Sequence, residues 1–332
     1  MRAAKQQALL LAASLVVAAC QAAVPSPSAA LPSGSAAPTV APTGAPSAIS
    51  IVVVTTSQPN DPFWNVVKRG AMDAGIDLGV NVQYIGSETF DLTKMVQNME
   101  ATIASDPSGI VIPIYDLSVL GPVIQRAVDA GIPIVEIGSA DMPKGSLATV
   151  GSNDYEAGKI AGQRIAEAGA TNIICINAEP GNTGLEERCR GMTDGAAPAK
   201  VVQKAITSVD PAAYQQQLTA ALREDPTVDA VITSGPVEAT LTMQALADGD
   251  FTDTVKLATF DLSPEVLTAI DEGTILFALD QQQYLMGYLP VVFITNYVRY
   301  LVSPVGRVLT GPGVVTKADA ARIIELSAAG VR

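Results

Sequence analysis

Residues 51–71 read IVVVTTSQPNDPFWNVVKRGA, and the order of residue types in this stretch decides the fold. Residues 51–54 are an unbroken run of β-branched side chains, which reads as a strand buried on both faces. A polar turn over 55–61 follows at the strand's carboxyl end. Pro62 then stands where a helix begins, since its fixed φ and missing N–H cost nothing at a first helical position. In an open parallel sheet, ligands bind just outside the carboxyl ends of the strands. The turn therefore carries Ser57, Asn60 and Asp61, with the adjacent aromatics Phe63 and Trp64, to a candidate crevice. Carboxylates and amides beside flat apolar rings suit a polyhydroxylated ligand, giving hydrogen bonds to its hydroxyls and π-faces to its C–H side. The same residues also fit a plain helix start with Phe63 and Trp64 turned to the core.

Downstream, strand-like and helix-like segments alternate, as in a parallel sheet covered by helices on both faces. Strands are predicted over 51–55, 80–85, 109–112, 133–137, 147–150, 172–176, 200–206, 228–232, 255–259 and 275–279. Helices are predicted over 62–78, 91–104, 119–130, 153–168, 184–196, 212–224, 236–247, 263–271 and 284–301. Asp91 ahead of Met95, Val96 and Met99 has the pattern of a capped amphipathic helix. Residues 285–302 are nearly apolar, but Pro290, Asn296 and Arg299 interrupt them, so they read as a buried packing helix between lobes and not as a membrane span.

The opening residues differ in kind. Residues 1–20, MRAAKQQALLLAASLVVAAC, combine a positive start at Arg2 and Lys5 with an apolar stretch too short to cross a bilayer as a mature helix, the form of an export signal. Their last six residues, LVVAAC, resemble a bacterial lipobox, with Val and Ala where Leu and Ala or Gly are commonest. Cleavage after residue 19 would leave Cys20 as an acylated N-terminus, and more than one acyl chain is enough for stable anchoring. An ordinary secretory signal with an incidental Cys20 is the alternative. Residues 21–48 are almost wholly Ala, Pro, Ser, Thr, Gly and Val without a charge, the composition of a Pro-stiffened linker. Its reach is on the order of 30–50 Å.

The rest of the 332-residue chain exceeds a comfortable single core and suggests two lobes. A net charge of −13 argues against nucleic acid and against an anionic membrane surface as partners. The chain contains no histidine, which removes His-based general-base catalysis, every Ser-His-Asp or Cys-His arrangement and His-rich zinc sites. No metal or cofactor is expected. With Cys20 assigned to lipid, Cys175 and Cys189 are left as an even pair, which in an exported chain invites a disulfide. Sequence leaves their geometry open.

Several further residues fall at strand ends. Asp261 follows the strand over 255–259 and precedes a Ser263-Pro264 helix start, so it reads either as a ligand carboxylate or as that helix's cap. Arg190 reads either as a bidentate partner for a hydroxyl or as half of a surface ion pair with Glu186. Asp210 before Pro211 fits an N-cap, and Gln281–Gln283 fit either ligand amides or polar hinge residues. The loop Glu179-Pro180-Gly181-Asn182-Thr183-Gly184 lacks the Lys-Ser/Thr of a phosphate-binding loop and reads as a flexible strand-to-helix turn.

From residue 49 to the C-terminus the chain resembles the periplasmic sugar-binding proteins of the ribose-binding type, which serve ABC transporters. The resemblance rests on the 51–71 stretch, Asp106-Pro107-Ser108-Gly109-Ile110-Val111-Ile112-Pro113, Gly131-Ile132-Pro133-Ile134-Val135, the stretch GSNDYEAGKIAG over 151–162, Glu186-Glu187-Arg188-Cys189-Arg190-Gly191 and Thr259-Phe260-Asp261. It implies a type I periplasmic binding protein fold: two α/β lobes, each a doubly wound, mostly parallel sheet flanked by helices, joined by a hinge. The implied division is 49–151 plus about 283–311 for the N-terminal lobe and 152–282 plus about 312–332 for the C-terminal lobe, after a signal over 1–19 and a linker over 20–48. The implied function is an extracytoplasmic, lipid-anchored solute-binding protein, a monomer and not an enzyme, that closes its lobes on a monosaccharide and delivers it to an ABC permease. The resemblance places Arg190 on the family's ligand-binding arginine, Asp261 on its aspartate and Gln281 on its hinge glutamine, with Ser57, Asp61, Phe63 and Trp64 opposite them. Ile112, Gly138-Ser139 and Gly235 depart from the ribose pattern, which leaves the identity of the sugar open. The competing readings are a sensory or uptake binder of a nucleoside, furanone-type signal or amino acid, and an exported glycosidase pairing Asp61 with Asp261. A transcriptional regulator of related fold is disfavoured, since no helix-turn-helix precedes residue 49.

Overall fold

The computed structural model describes residues 48–56, 61–87, 89–138 and 142–332. The first lobe opens as β1 (Ser50–Val54), α1 (Pro62–Leu78), β2 (Asn81–Ile85), α2 (Leu92–Ala104), β3 (Gly109–Pro113), α3 (Leu117–Asp129), β4 (Ile134–Ile137) and β5 (Ala148–Gly151). The second holds α4 (Asp154–Glu167), β6 (Asn172–Asn177), α5 (Thr183–Ala196), β7 (Lys200–Ala205), α6 (Pro211–Glu224), β8 (Ala230–Thr233), α7 (Pro236–Asp248), β9 (Lys256–Phe260), α8 (Pro264–Glu272) and β10 (Ala278–Asp280). The chain ends with α9 (Gln283–Tyr300), β11 (Gly306–Leu309), β12 (Gly313–Val315) and α10 (Lys317–Ala328).

The strands form two six-stranded sheets, ordered β11-β5-β4-β3-β1-β2 and β12-β10-β9-β8-β6-β7. All pairings are parallel except β12 against β10. Because the strand period is two, β1 divides its run between two cores: Val52 and Val54 pack with Met95, Met99 and Leu120, whereas Ile51 and Val53 pack with Val67, Ala71 and Ile294. β6 does the same in the second lobe, with Ile174 and Ile176 on one face and Ile173 and Cys175 on the other. Continuous apolar strands are what a sheet covered on both faces requires.

The chain crosses between the sheets three times, after β5, after β10 and between β11 and β12. α9 differs from the sequence expectation. It lies against α1 and on β3, β4 and β5, so it covers the first sheet and does not fill a space between lobes. Its buried face is Met286, Gly287, Pro290, Val291 and Ile294, and it runs out to an exposed end at Tyr300. Among the described residues no helix is long and apolar enough to cross a membrane.

α4 and α5 approach closely. A Cβ on Gly158 would collide with the Arg188 carbonyl, and one on Gly191 would collide with that of Tyr155. Glycine at these contacts lets the two backbones meet, and this fixes where the inner face of α5 sits against the start of α4.

Candidate functional site

The carboxyl ends of both sheets face one another across a cavity of about 770 Å³, within the usual range for small-molecule sites. From the first lobe, Asp61 caps α1, its Oδ1 accepting from the backbone N–H of Phe63 at 2.9 Å and of Trp64 at 3.3 Å. Pro62 at the first helical position fixes that geometry. Phe63 and Trp64 meet edge to face at 4.9 Å, reach the cavity and also pack on the lobe's core, so both sequence readings of these rings hold at once. Tyr115, beyond the end of β3, adds a third ring wall, edge-on to Phe90 at 5.1 Å, with its hydroxyl accepting from Thr56 at 2.9 Å. Ser57 and Asn60 lie outside the described residues, as does Cys20.

From the second lobe, Asp261 occupies the end of β9 with a left-handed backbone, φ 61°, which an aspartate tolerates better than most residues. It is not the cap of α8; Ser263 is, accepting from Val266 N–H at 3.2 Å. Asp261 instead accepts from the backbone N–H of Gln281 at 3.3 Å and from its side-chain amide at 2.8 Å. The other amide atom of Gln281 accepts from Ser152 Oγ at 3.2 Å. Its backbone carbonyl accepts from Thr310 Oγ1 at 2.7 Å. Ser152, Gln281 and Thr310 lie one in each interlobe crossing, so Gln281 gathers the hinge and presents it to the cavity. Asp210 caps α6 through Ala213 N–H at 2.9 Å and has no place in the cavity lining.

Arg190 is corrected. Its guanidinium is exposed, pairs with Glu187 and stacks over Tyr155 at 4.3 Å; Glu186 is not its partner. The arginine of the cavity is Arg188. Two helical positions are about 200° apart, so only one of the pair can face inward. Leu185, Arg188, Cys189 and Met192 form the buried stripe of α5, at the i, i+3, i+4, i+7 spacing that marks an inner face. That spacing was the signal available in the sequence. Arg188 donates to Asp154 Oδ1 at 2.6 Å and to the Ser234 carbonyl at 3.3 Å, and lies 4.5 Å over the Phe260 ring. Cys175 and Cys189 are joined, with Cα atoms 5.7 Å apart, which bolts β6 to the turn of α5 that carries Arg188.

Two carboxyls were missed by sequence reasoning. Glu179 follows β6 in the turn read as merely flexible, and Glu238 stands in the first turn of α7. Both line the cavity. Each lies a few residues past the carboxyl end of a strand, the one signal that marks them. Burial raises Glu179 to about 7, against the Asn182 amide that donates to it at 2.7 Å, with the Asp61 charge adding to the rise. Burial likewise raises Glu238 to about 7, reinforced by Asp61 and Glu179. Asp261 also rises to about 7 through burial, opposed by Arg188. Asp61 is raised by burial against its two backbone hydrogen bonds. The described residues include no cluster of metal-ligating side chains.

Two parallel-sheet lobes that meet at the carboxyl ends of their strands around a polar, ring-walled cavity, joined by three short crossings, define a hinged small-molecule binding protein. Residues 51–299 match the periplasmic binding protein domain family, and the chain belongs to that family. The chain is 28% identical to the xylose/arabinose-binding protein XylF of Sulfolobus acidocaldarius over 71% of its own length and 63% of that protein's. It therefore spans somewhat under two thirds of that relative. Similarity to the ribose import binding protein RbsB of Escherichia coli is 24% identity over 70% of this chain and 78% of that protein. Among solved structures, a carbohydrate transporter from Acidothermus cellulolyticus, in complex with myo-inositol, superposes with a TM-score of 0.82 at 30% identity, over 86% of this chain and all of that one.

Proposed function

We propose that the protein is the extracytoplasmic solute-binding component of an ABC importer, closing two lobes on a monosaccharide or cyclic polyol and presenting it to a membrane permease. The observation that carries this reading is the cavity itself. Acceptors from both sheets, Asp61 on one side and Glu179, Glu238 and Asp261 on the other, face a shared space walled by Trp64, Phe90 and Tyr115. Hydroxyls donate to the carboxyls while the C–H face of a ring lies on the aromatics. A ligand that touches both lobes does so only when they are closed, so its differential affinity moves the equilibrium toward closure. The proposed ligand-contacting residues are Asp61, Phe63, Trp64, Arg188, Asp261 and Gln281, with Ser57, four positions before Asp61 in the sequence.

An amino-acid ligand finds weaker support, because the arginine that would clamp its carboxylate is already bound to Asp154. Anchoring through an acylated Cys20 and a monomeric state complete the proposal. Palmitate labelling that is lost in Cys20→Ser tests the anchor.

Trp64 is the sole tryptophan, so intrinsic fluorescence reports the cavity directly. Titration of residues 49–332 with pentoses, hexoses, cyclitols, nucleosides and amino acids should give a saturable change with a sugar or cyclitol, abolished in Asp261→Ala. A response confined to nucleosides or amino acids overturns the substrate class.

A further inference from the structure

The helix N-termini of α1, α4, α5 and α7 border the cavity. Such ends ordinarily receive anions. Here those of α1, α4 and α5 are capped by side chains of the protein, whereas α7 has Gly235 at its cap and no side-chain hydrogen bond there. Asp61 takes the N–H groups of α1, and Asn182 caps α5 while holding Glu179 beside it. Glu238 lies in the first turn of α7, with Oε2 folded back toward Gly235. Arg188 is the only basic residue among the described lining residues, and Asp154 holds it at 2.6 Å. A ligand entering the closed cleft therefore meets four further carboxyls, Asp61, Glu179, Glu238 and Asp261, with Arg188 the one lining cation to set against all of them. The first three lie close enough to perturb one another electrostatically. They come from both lobes, so closure gathers them around whatever is enclosed, and an enclosed cation holds ionised the groups that burial alone would protonate.

We infer that the cleft selects its ligand by charge, taking an amine-bearing sugar or cyclitol ahead of the neutral counterpart and refusing the acid. The inference rests on the sugar-binding reading above and names the class within it. An ammonium supplies three donors and a positive charge to acceptors that outnumber the one lining cation. The rings of Trp64, Phe90 and Tyr115, which also line the cavity, favour a cation as well. A uronate or sugar phosphate brings like charge among these carboxyls.

The test uses matched ring sets on the unmodified protein: glucose, glucosamine and glucuronate, with the galactose and mannose sets beside them, all read by Trp64 fluorescence near neutral pH. Within any set that binds, the amine should bind at least about tenfold tighter than the neutral sugar, and the acid should give no saturable change. Equal or tighter binding of the neutral sugar, or binding of the acid, overturns the charge selection while leaving the sugar reading intact. Silence from every set overturns this inference for hexoses, and silence from the pentoses and cyclitols as well overturns the sugar reading with it. Glu179→Gln/Glu238→Gln, checked for folding by circular dichroism, should shrink the amine-to-neutral ratio severalfold; an unchanged ratio assigns the selectivity elsewhere and removes these two residues from it.

Discussion

Thr183 spans the cleft and gives both its backbone N–H and its hydroxyl to the carbonyl of Tyr115, at 2.8 and 2.9 Å. Tyr115 belongs to the first lobe and Thr183 opens the first helix turn of α5 in the second, so this pair exists only when the lobes are together. Closure is thus supported by protein–protein contact as well as by ligand. Thr183→Val keeps the shape and the backbone bond but removes the hydroxyl. The expected cost is about 1 kcal/mol of closed-state stability, read as roughly a fivefold rise in Kd for the ligand found by Trp64 fluorescence. An unchanged Kd would show that the latch does not contribute.

Arg188 and Arg190 are two residues apart and should behave oppositely. Arg188→Ala breaks the buried ion pair with Asp154, which costs about 3–5 kcal/mol of folding stability, together with loss of ligand binding. Arg190→Ala removes an exposed pair with Glu187 and a surface stack on Tyr155, neither of them at the cavity, and should leave both Tm and Kd nearly where they are. Thermal melts and titrations of the two variants check the assignment; a binding defect in Arg190→Ala would reverse it.

The Cys175–Cys189 bridge closes a short loop, and its loss should lower stability by about 2–4 kcal/mol. Its position adds a functional effect. Cys189 adjoins Arg188, so reduction frees the turn that aims the guanidinium. Tm and Kd measured with and without a phosphine reductant should shift together. A fall in Tm with an unmoved Kd would separate the bridge from the site.

Glu179, Glu238 and Asp261 are each raised to about 7 in the closed cleft, and opening the lobes returns them to water and to ordinary carboxyl values. The closed form then holds protons that the open form releases. Its advantage is full below the ordinary carboxyl range and is lost as pH rises through about 7. Small-angle scattering of the unliganded protein should give a larger radius of gyration near pH 8 than near pH 5. A radius that shrinks as pH rises would contradict the sign.

Much of this molecule is legible in its sequence because buried parallel strands announce themselves. The run over 51–54 became β1, and Pro62 became the first residue of α1 as expected. β11, β12 and α10 went unread. The two strands are short and lie at sheet edges, half exposed between Gly306 and the Gly311-Pro312-Gly313 turn, where neither periodicity nor a hydrophobic run has room to appear. At the site, Asp261 could be placed at the cavity because strand ends follow from topology, whereas Gln281 came only from the family resemblance. Glu179 and Glu238 were not singled out, since which of many strand-end loops converge depends on how two lobes meet. The arginine was misplaced by two positions because a motif was weighed ahead of the helical face that the stripe from Leu185 to Met192 defines.

Gln281 joins all three crossings and holds Asp261 at the floor of the cavity. Joint and sensor are therefore one object, and specificity here has two unequal sources. The residues on the cavity's rim and walls, Glu179, Glu238 and Trp64, can be exchanged to suit a new ligand without touching the hydrogen bonds that join the crossings. Any change at Asp261 or Gln281 alters how stiffly the halves swing along with what they recognise. Re-engineering this protein as a biosensor for another compound should accordingly begin at the walls and leave the floor alone.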